Sequence, residues 1–289
     1  MRRTASLGVV GTRVTIVHAC QRDGEGGSPT AVIEETAPLI DAERQAIPAA
    51  VGTSHAVFIR PDRDRSVSLR FFTATGELPA CGHGTVAALA LLAERAGAAE
   101  YETVLRAGGR TFPGRAVADG NRLTALFDPG PVELSTPTDI EPVLAAVGID
   151  RASGCRIASV GRPRLLVRVP DRAVLAGLAP DTGRLRDACD RLGLLGCYVY
   201  SAPASAGRAA ARMFAPSIGV PEDIANVNST ACLAAHLSEN GIATVEVDMG
   251  DALGHRSTIV ASARPGPAIE VGGAAAVVAQ PISVGQSVA

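Results

Sequence analysis

The chain repeats one succession of segments, and this repeat constrains its fold more than any other feature. In each half, a strand-like stretch, a Gly/Pro turn and an apolar helix-like run follow one another, and the runs at 85–97 and 228–241 both end at a glycine. When His83 is aligned with Asn228, a threonine, a leucine and a glutamate of the two runs coincide at an offset of 145 residues. Three elements that recur in the same order predict an internal duplication.

The duplication predicts two similar α+β lobes, each a bent antiparallel sheet or barrel around one central helix. The run "VAALALLA" is apolar nearly all round, which is expected of a helix that is enclosed by sheet and has no wet face. The predicted N-terminal lobe is 1–128 with its helix at 84–96, and the C-terminal lobe is 138–265 with its helix at 229–240. We expect residues 266–289 to return to the N-terminal lobe.

Composition excludes several classes of function. All 27 basic residues are arginine, so Schiff-base chemistry on lysine and a P-loop are excluded. The net charge of −2 gives no footprint for nucleic acid, and no apolar run approaches the roughly 20 residues that span a bilayer. The six scattered cysteines form no C-x-x-C pair, which indicates a reducing cytoplasm rather than disulfides or zinc. We therefore expect a cytoplasmic protein with no metal, no cofactor, no nucleic-acid partner and no membrane contact.

The duplication also places the N-termini of the two central helices at a shared cleft. Helix N-termini offer unpaired N–H donors and a positive dipole end, which together bind a carboxylate. Gly82 and Gly84 would let a ligand approach the backbone, and Ser229 and Thr230 supply hydroxyls at the matching place in the second half. The same donors stabilise an enolate-like charge when a proton leaves carbon. These features predict proton movement on a small carboxylic acid.

Five segments of the chain resemble, in order, the motifs of the phenazine-biosynthesis PhzF-like family, within the diaminopimelate-epimerase and proline-racemase-like superfamily. They are "GSPTAVI", "FFTATGELPACGHGTVAALALL", "GRPRLLVRVPDRAVLAGLAPD", "ARMFAPSIGVPED" and "MGDALGHRSTI". The resemblance implies the diaminopimelate-epimerase-like fold, a cofactor-free active site between two lobes, isomerase activity and a homodimer.

The resemblance also implies a set of catalytic residues, with one departure. The family's glutamate belongs in an "S-E-T-T-F"-like segment, which reads "TSHAVF" here, so that Ser54 stands in its place. His55 follows and could act instead, although strand alternation would turn it to the other face. The family's histidine in "C-G-H" matches His83, its aspartate matches Asp223, and its serine is replaced by Asn228. We expect the proton to be handled by Asp223 with His55 or His83, and Ser54 and Asn228 to orient the substrate or a water.

The predicted substrate-binding residues surround the two helix N-termini. We expect the carboxylate to lie on the amides of both helices, and we expect the "MGDALGHRS" segment to remain near the cleft, with His255 in place of the family's arginine. The predicted set is Gly82, Gly84, Thr85, Ser229, Thr230, Gly250 and Asp251.

Three readings of the function stay open. The first is an isomerase that shifts a double bond in a pyrroline-2-carboxylate, because the chain also resembles family members of 4-alkylproline antibiotic pathways. The second is an epimerase or hydroxyproline-type dehydratase that uses Cys81, since "ACGHGT" resembles the proline racemase motif whose cysteine is a base. The mirror position of that cysteine is Asn226, so a two-thiol mechanism lacks its partner. The third is a non-catalytic relic that binds a small acid.

Overall fold

A computed structural model describes residues 12–120, 122–204, 207–266, 268–278 and 281–284, which form a mixed α+β structure. The elements of the first half are β1 (Thr12–Gln21), β2 (Ser28–Glu34), α1 (Asp41–Val51), β3 (His55–Pro61), β4 (Val67–Thr73), β5 (Gly76–Leu78), α2 (Gly82–Ala96), β6 (Glu100–Ala107), β7 (Arg110–Asp119), β8 (Arg122–Phe127) and β9 (Glu133–Ser135). Those of the second half are α3 (Glu141–Val147), β10 (Cys155–Ser159), β11 (Pro163–Val169), α4 (Arg172–Ala176), α5 (Thr182–Arg191), β12 (Cys197–Ser201), β13 (Arg208–Ala215), β14 (Val220–Asp223), α6 (Val227–Ser238), β15 (Thr244–Met249), β16 (Ser257–Ala263), β17 (Ile269–Val277) and β18 (Ile282–Val284).

The strand pairing of the first half recurs in the second. β1 pairs antiparallel with β2, β2 parallel with β3, β3 antiparallel with β4, and β4 parallel with β6. The corresponding pairs β10–β11, β11–β12, β12–β13 and β13–β15 have the same directions. Both halves then continue as an antiparallel meander, β6–β7–β8 and β15–β16–β17. The predicted fold class, two similar α+β lobes, is confirmed.

The two halves are joined through their last strands. β8 pairs with β17, β9 pairs with β10, and β18 pairs with β1. β17 also pairs with β1, so strands near the C-terminus complete sheet that begins in the first half. The predicted lobe boundaries stay a prediction, and their outermost parts, 1–11 and 285–289, lie outside the described residues.

The central helices are α2 and α6, each of which packs against strands on several sides. α2 lies against β1, β2, β3, β7, β8 and β17, and α6 lies against β10, β15, β16 and β17. Eleven residues of α2 are buried, which explains its apolar character all round. Gly97 ends the helix in the left-handed conformation with φ 61°. Among the helices of the described residues, none is both long and apolar enough to cross a membrane.

Both central helices begin two residues earlier than the sequence predicts. The backbone of Cys81 is extended, so α2 starts at Gly82 instead of at residue 84. The side chain of Asn226 caps α6 by accepting a hydrogen bond from the Ser229 amide, so that helix starts at Val227. It ends at Ser238 instead of residue 240, because the amides of the next turn bond back only three residues.

The N-termini of α2 and α6 touch each other at a glycine. A β-carbon added to Gly82 would lie 2.5 Å from Cβ of Val227 and 3.1 Å from the amide nitrogen of Asn228. Real β-carbons do not approach other atoms so closely, and the obstructing atoms belong to the start of a helix that cannot easily move. Glycine at this position is therefore what allows the two helix ends to meet.

We expect Gly82→Ala to lower the free energy of unfolding by about 1–3 kcal/mol, because the methyl group overpacks the helix contact. Urea denaturation followed by circular dichroism measures it. Gly183→Ala is the matched control, since its added β-carbon meets only Asp181 Oδ1 at 3.5 Å and lies within α5. Alanine favours a helix there by up to about 1 kcal/mol. Equal stability of the two variants would contradict the proposed contact.

Candidate active site

A cavity of about 200 Å³ lies where the N-termini of α2 and α6 meet. It is lined by residues from both halves, among which are five of the predicted site residues: His55, Gly82, His83, Asp223 and Asn228. The first two residues of α2 and of α6 form part of its wall. Their amides have no partner within the helix, since the first N–H groups of any helix point away from its carbonyls. The expected shared cleft is therefore present as a cavity with free N–H donors.

His83 is held between two acceptors at the start of α2. Its Nδ1 lies 3.1 Å from the carbonyl oxygen of Ala225, and its Nε2 lies 3.4 Å from Sγ of Cys81. A carbonyl oxygen can only accept, so Nδ1 carries a proton. When Nε2 is protonated as well, the ring donates to the Ala225 oxygen on one side and to the Cys81 sulfur on the other.

His55 lies next to His83 and is hydrogen-bonded to Ser54. The two imidazole rings meet edge to face with centroids 4.4 Å apart, and Nδ1 of His55 lies 2.8 Å from Oγ of Ser54. Ser54 is exposed and does not line the cavity, so its predicted role in orienting the substrate or a water stays a prediction. The first five residues of β3 are buried, and strand alternation therefore does not turn His55 away from the site.

The two histidines carry different charges at neutral pH. Burial lowers the pKa of His83, but the charge and hydrogen bond of the Cys81 sulfur outweigh burial and raise that pKa to about 9. Burial, followed by the nearby charge of His83, lowers the pKa of His55 to about 3. Two imidazoles at this separation do not both hold a proton, because like charges repel in a buried site. The site thus has one imidazolium, His83, and one neutral imidazole, His55.

Asp223 supplies the carboxylate of the cavity from the end of β14. Its Oδ2 accepts a hydrogen bond from Nδ2 of Asn226 at 2.9 Å, and its Oδ1 accepts one from the amide of Ala225 at 3.4 Å. Asn226 also caps α6 through its other side-chain atom, so one residue fixes both the helix start and the carboxylate. Asp223 is 8% exposed, and its side chain is therefore held in a mostly dry environment.

The predicted substrate contacts of Ser229 and Thr230 stay a prediction, and the fold already uses the polar groups of both residues. The amide of Ser229 donates to Oδ1 of Asn226, and that of Thr230 donates to the carbonyl oxygen of Asn226. The Ser229 hydroxyl accepts from Arg164, and the Thr230 hydroxyl bonds to Tyr198. Neither residue lines the cavity. Within the described residues, no partner is found for the amides of Val227 and Asn228, which are therefore the free amides that α6 offers.

The predicted contacts of Gly84 and Thr85 with substrate are also not seen. The missing β-carbon of Gly84 faces Phe71 and Sγ of Cys81, at 3.0 and 3.1 Å, so this glycine serves the packing of α2 on β4. The Thr85 hydroxyl donates to the carbonyl oxygen of Cys81 within the same helix. Thr85 lines only a small void of about 30 Å³ next to the main cavity.

Gly250 and Asp251 lie outside the cavity wall. Gly250 has φ 77°, and a β-carbon there would lie 2.0 Å from the carbonyl oxygen of His255, so glycine is required by a tight turn. Asp251 pairs with the buried Arg22 at 2.8 Å, and its side chain is 55% exposed. Their predicted role in binding substrate stays a prediction, since neither residue lines the cavity.

Three arginines that sequence reasoning missed line the cavity: Arg110, Arg162 and Arg164. Arg164 is 2% exposed and lies in β11 among leucines and valines. An arginine inside an otherwise apolar strand, as in "PRLLVRV", is the signal that could have identified it, since arginine is almost never fully buried without a partner.

His55, Cys81 and His83 could together hold a metal ion. One donor atom from each lies within 4.8 Å of the others, and all three residues are buried. The sequence reasoning expected no such group, because the three are not spaced as a metal motif. A metal would have to replace the contact between Nε2 of His83 and Sγ of Cys81, which the imidazolium already satisfies.

Comparison with known proteins gives the same family as the motifs. Residues 17–281 match the family described as phenazine biosynthesis-like protein. An uncharacterised isomerase of Deinococcus radiodurans is 30% identical over 237 residues, 74% of this chain and 72% of that protein. The trans-2,3-dihydro-3-hydroxyanthranilate isomerase of Pseudomonas fluorescens is 29% identical over 245 residues, 82% of this chain and 85% of that protein.

Solved structures agree. A predicted epimerase from Pseudomonas aeruginosa superposes with a TM-score of 0.83 at 26% identity, over 96% of this chain and 100% of that one. A hydroxyproline epimerase from Agrobacterium vitis, at 12% identity and a TM-score of 0.61, shares the fold alone over 95% of this chain and 93% of that one. The chain therefore belongs to the phenazine biosynthesis-like (PhzF-like) family and is an isomerase of that family.

Proposed function

We propose that the protein moves a proton within a small conjugated carboxylate and thereby shifts a double bond. The observation that carries this proposal is that one small cavity is lined by the Asp223 carboxylate and by the hydrogen-bonded pair of Cys81 and His83. A carboxylate can take a proton from carbon and return it, which is what an isomerisation without a redox step requires. The volume of about 200 Å³ is below that of a typical drug-sized pocket, which favours a substrate with about one ring.

The charges of the site suit an enolate-like intermediate. Asp223 takes the proton from carbon, and the electron pair left behind spreads over the conjugated system and the carboxylate. The His83 imidazolium and the free amides of the two helix N-termini lie on the same cavity and stabilise that negative charge. The protonated Asp223 then delivers the proton to a carbon further along the conjugated system, so that atoms and charge balance.

A pyrroline-2-carboxylate with a conjugated side chain is the finer substrate class that we propose. The family's glutamate is absent, and the residue after its position is His55, a neutral imidazole of lowered pKa and thus a weak base. A vinylogous C–H beside an imine and a carboxylate is acidic enough to react without a strong base. The small cavity and its arginines suit one ring with one carboxylate.

A second candidate is epimerisation that uses the thiol of Cys81. The contact between Cys81 Sγ and His83 Nε2 favours it, as does the likeness to a predicted epimerase. The residue at the mirror position, Asn226, argues against it, because its side-chain oxygen caps α6 and a carboxamide is too weak a base to take a proton from carbon. Cys232, the cysteine of α6, is buried and does not line the cavity.

Deuterium uptake from D2O, followed by NMR with candidate pyrroline carboxylates, separates these functions. We expect wild type to exchange substrate hydrogens and Asp223→Asn to lose about 100-fold or more of that rate. Cys81→Ser should lose less than Asp223→Asn, because the serine hydroxyl can still accept a hydrogen bond from His83 although the contribution of the sulfur to the raised pKa of His83 is gone. Asp187→Asn, an exposed change on α5, is the matched control and should exchange like wild type.

Loss of exchange in Cys81→Ser but not in Asp223→Asn would contradict the double-bond shift and support the epimerase. Binding of the acids without any exchange in wild type would support the third reading, a relic of the fold that binds a small acid.

The activity should fall as pH rises through about 9, because His83 then loses its proton. Its pKa is raised from 6.5, so the imidazolium is present below about pH 9 and absent above it. The stability that this proton contributes has the same sign: it is fully present below pH 6.5 and is lost as pH rises through about 9. Profiles of kcat/KM between pH 6 and 10.5 measure the first effect. A falling limb centred near pH 6.5 would contradict the assignment of the imidazolium to His83.

A further inference from the structure

Arg164 is a buried cation without a counter-charge. Its Nη1 donates to Oγ of Ser229 at 3.2 Å and its Nη2 donates to the carbonyl oxygen of Arg162 at 2.7 Å, while its Nε is enclosed and has no partner. A guanidinium has five N–H donors, so most of them are left over. No carboxylate in the described part of the chain forms an ion pair with it.

The other buried arginines of the described chain show what is normal for this protein. Arg22 pairs with Asp248 and Asp251, and Arg44 pairs with Glu35 and Asp41. Burying a charge is unfavourable unless an opposite charge and hydrogen bonds compensate it. Both of these arginines meet that condition, and Arg164, the most deeply buried of the three, does not.

The surroundings of Arg164 make the missing anion more evident. Its partner Ser229 is the third residue of α6, so the guanidinium lies beside the positive end of that helix, where an anion and not a cation is stabilised. Arg164 lines the cavity of the candidate active site. Arg110 and Arg162 line it too, and within the described ranges neither has an ion-pair partner. The region therefore has an excess of positive charge over the single carboxylate of Asp223.

We propose that Arg164 binds the carboxylate of the substrate, together with the free amides of Val227 and Asn228. This inference rests on the proposed function, in which the substrate is a small acid. It moves the carboxylate from the amides of Ser229 and Thr230, which are already bonded, to a side chain that lines the cavity and has spare donors. The Ser229 hydroxyl then acts as a positioning group, because it fixes one nitrogen of the guanidinium.

Calorimetry with pyrrole-2-carboxylate and pyrrole-2-carboxamide tests the inference. These two planar rings have the same shape, but the carboxamide lacks the negative charge and has an NH2 donor in place of one acceptor oxygen of the group that Arg164 would bind. We expect Arg164→Met to raise the Kd of the carboxylate about 100-fold or more, and to remove the preference of wild type for the carboxylate over the carboxamide. Arg168→Met, an exposed arginine on the same strand, is the matched control and should bind like wild type.

Thermal unfolding without ligand distinguishes binding from a structural role. Arg164→Met removes an uncompensated buried charge, so its Tm should rise by about 2 °C or more, whereas a structural arginine would lower the Tm when replaced. The inference is overturned if wild type does not bind the carboxylate, if Arg164→Met binds it as tightly as wild type, or if the Tm falls. Loss of binding in the variant without deuterium exchange in wild type would support the inference and overturn the proposed function instead.

Discussion

The contact between the N-termini of α2 and α6 is the constraint on which the rest of the site depends. Gly82 allows the two helix ends to touch, and two positive dipole ends then face one small volume. Helix ends of like polarity repel each other unless something negative lies between them. The protein supplies only part of that charge, through Asp223, and adds more positive charge with His83 and Arg164. The positive groups around the cavity therefore favour the binding of an anion.

The duplicated scaffold is symmetric, whereas the groups at the two helix starts are not. Cys81 and Asn226 occupy the same N-cap position in the two halves, yet only Asn226 caps its helix with a side-chain bond. Asn226 thereby holds the carboxylate of Asp223 on one side, and Cys81 holds the imidazolium of His83 on the other. An inversion at one carbon needs two groups that can exchange roles. A shift between two different carbons needs one group that carries the proton and another that stabilises the charge, and this is the asymmetry present here.

Much of this arrangement could be predicted from the sequence, because it depends on local patterns. The repeat predicts the two lobes and their shared cleft, the all-apolar run predicts an enclosed helix, and the glycines around His83 mark the position of the cleft. The differences between sequence and structure concern polar side chains whose hydrogen-bond partner lies far along the chain. The local sequence does not show that the Ser229 hydroxyl accepts a hydrogen bond from Arg164, 65 residues away. Nor does it show that Asp251 accepts one from Arg22, 229 residues away. Strand alternation argues against His55, but β3 is buried on both faces and His55 lines the cavity.

The choice of arginine at position 164 follows from the same electrostatics. A buried lysine next to a helix N-terminus could lose its proton and become neutral, which would remove the repulsion and with it the attraction for an anion. A guanidinium keeps its charge in nearly any surroundings, so the empty cavity retains a charge that only a ligand can compensate. The unpaired guanidinium lowers the free energy of unfolding of the ligand-free protein. When a carboxylate binds, it compensates that charge, and the same free energy contributes to the affinity. A chain that contains arginine and no lysine is suited to such a site, because a buried arginine does not lose its charge by deprotonation.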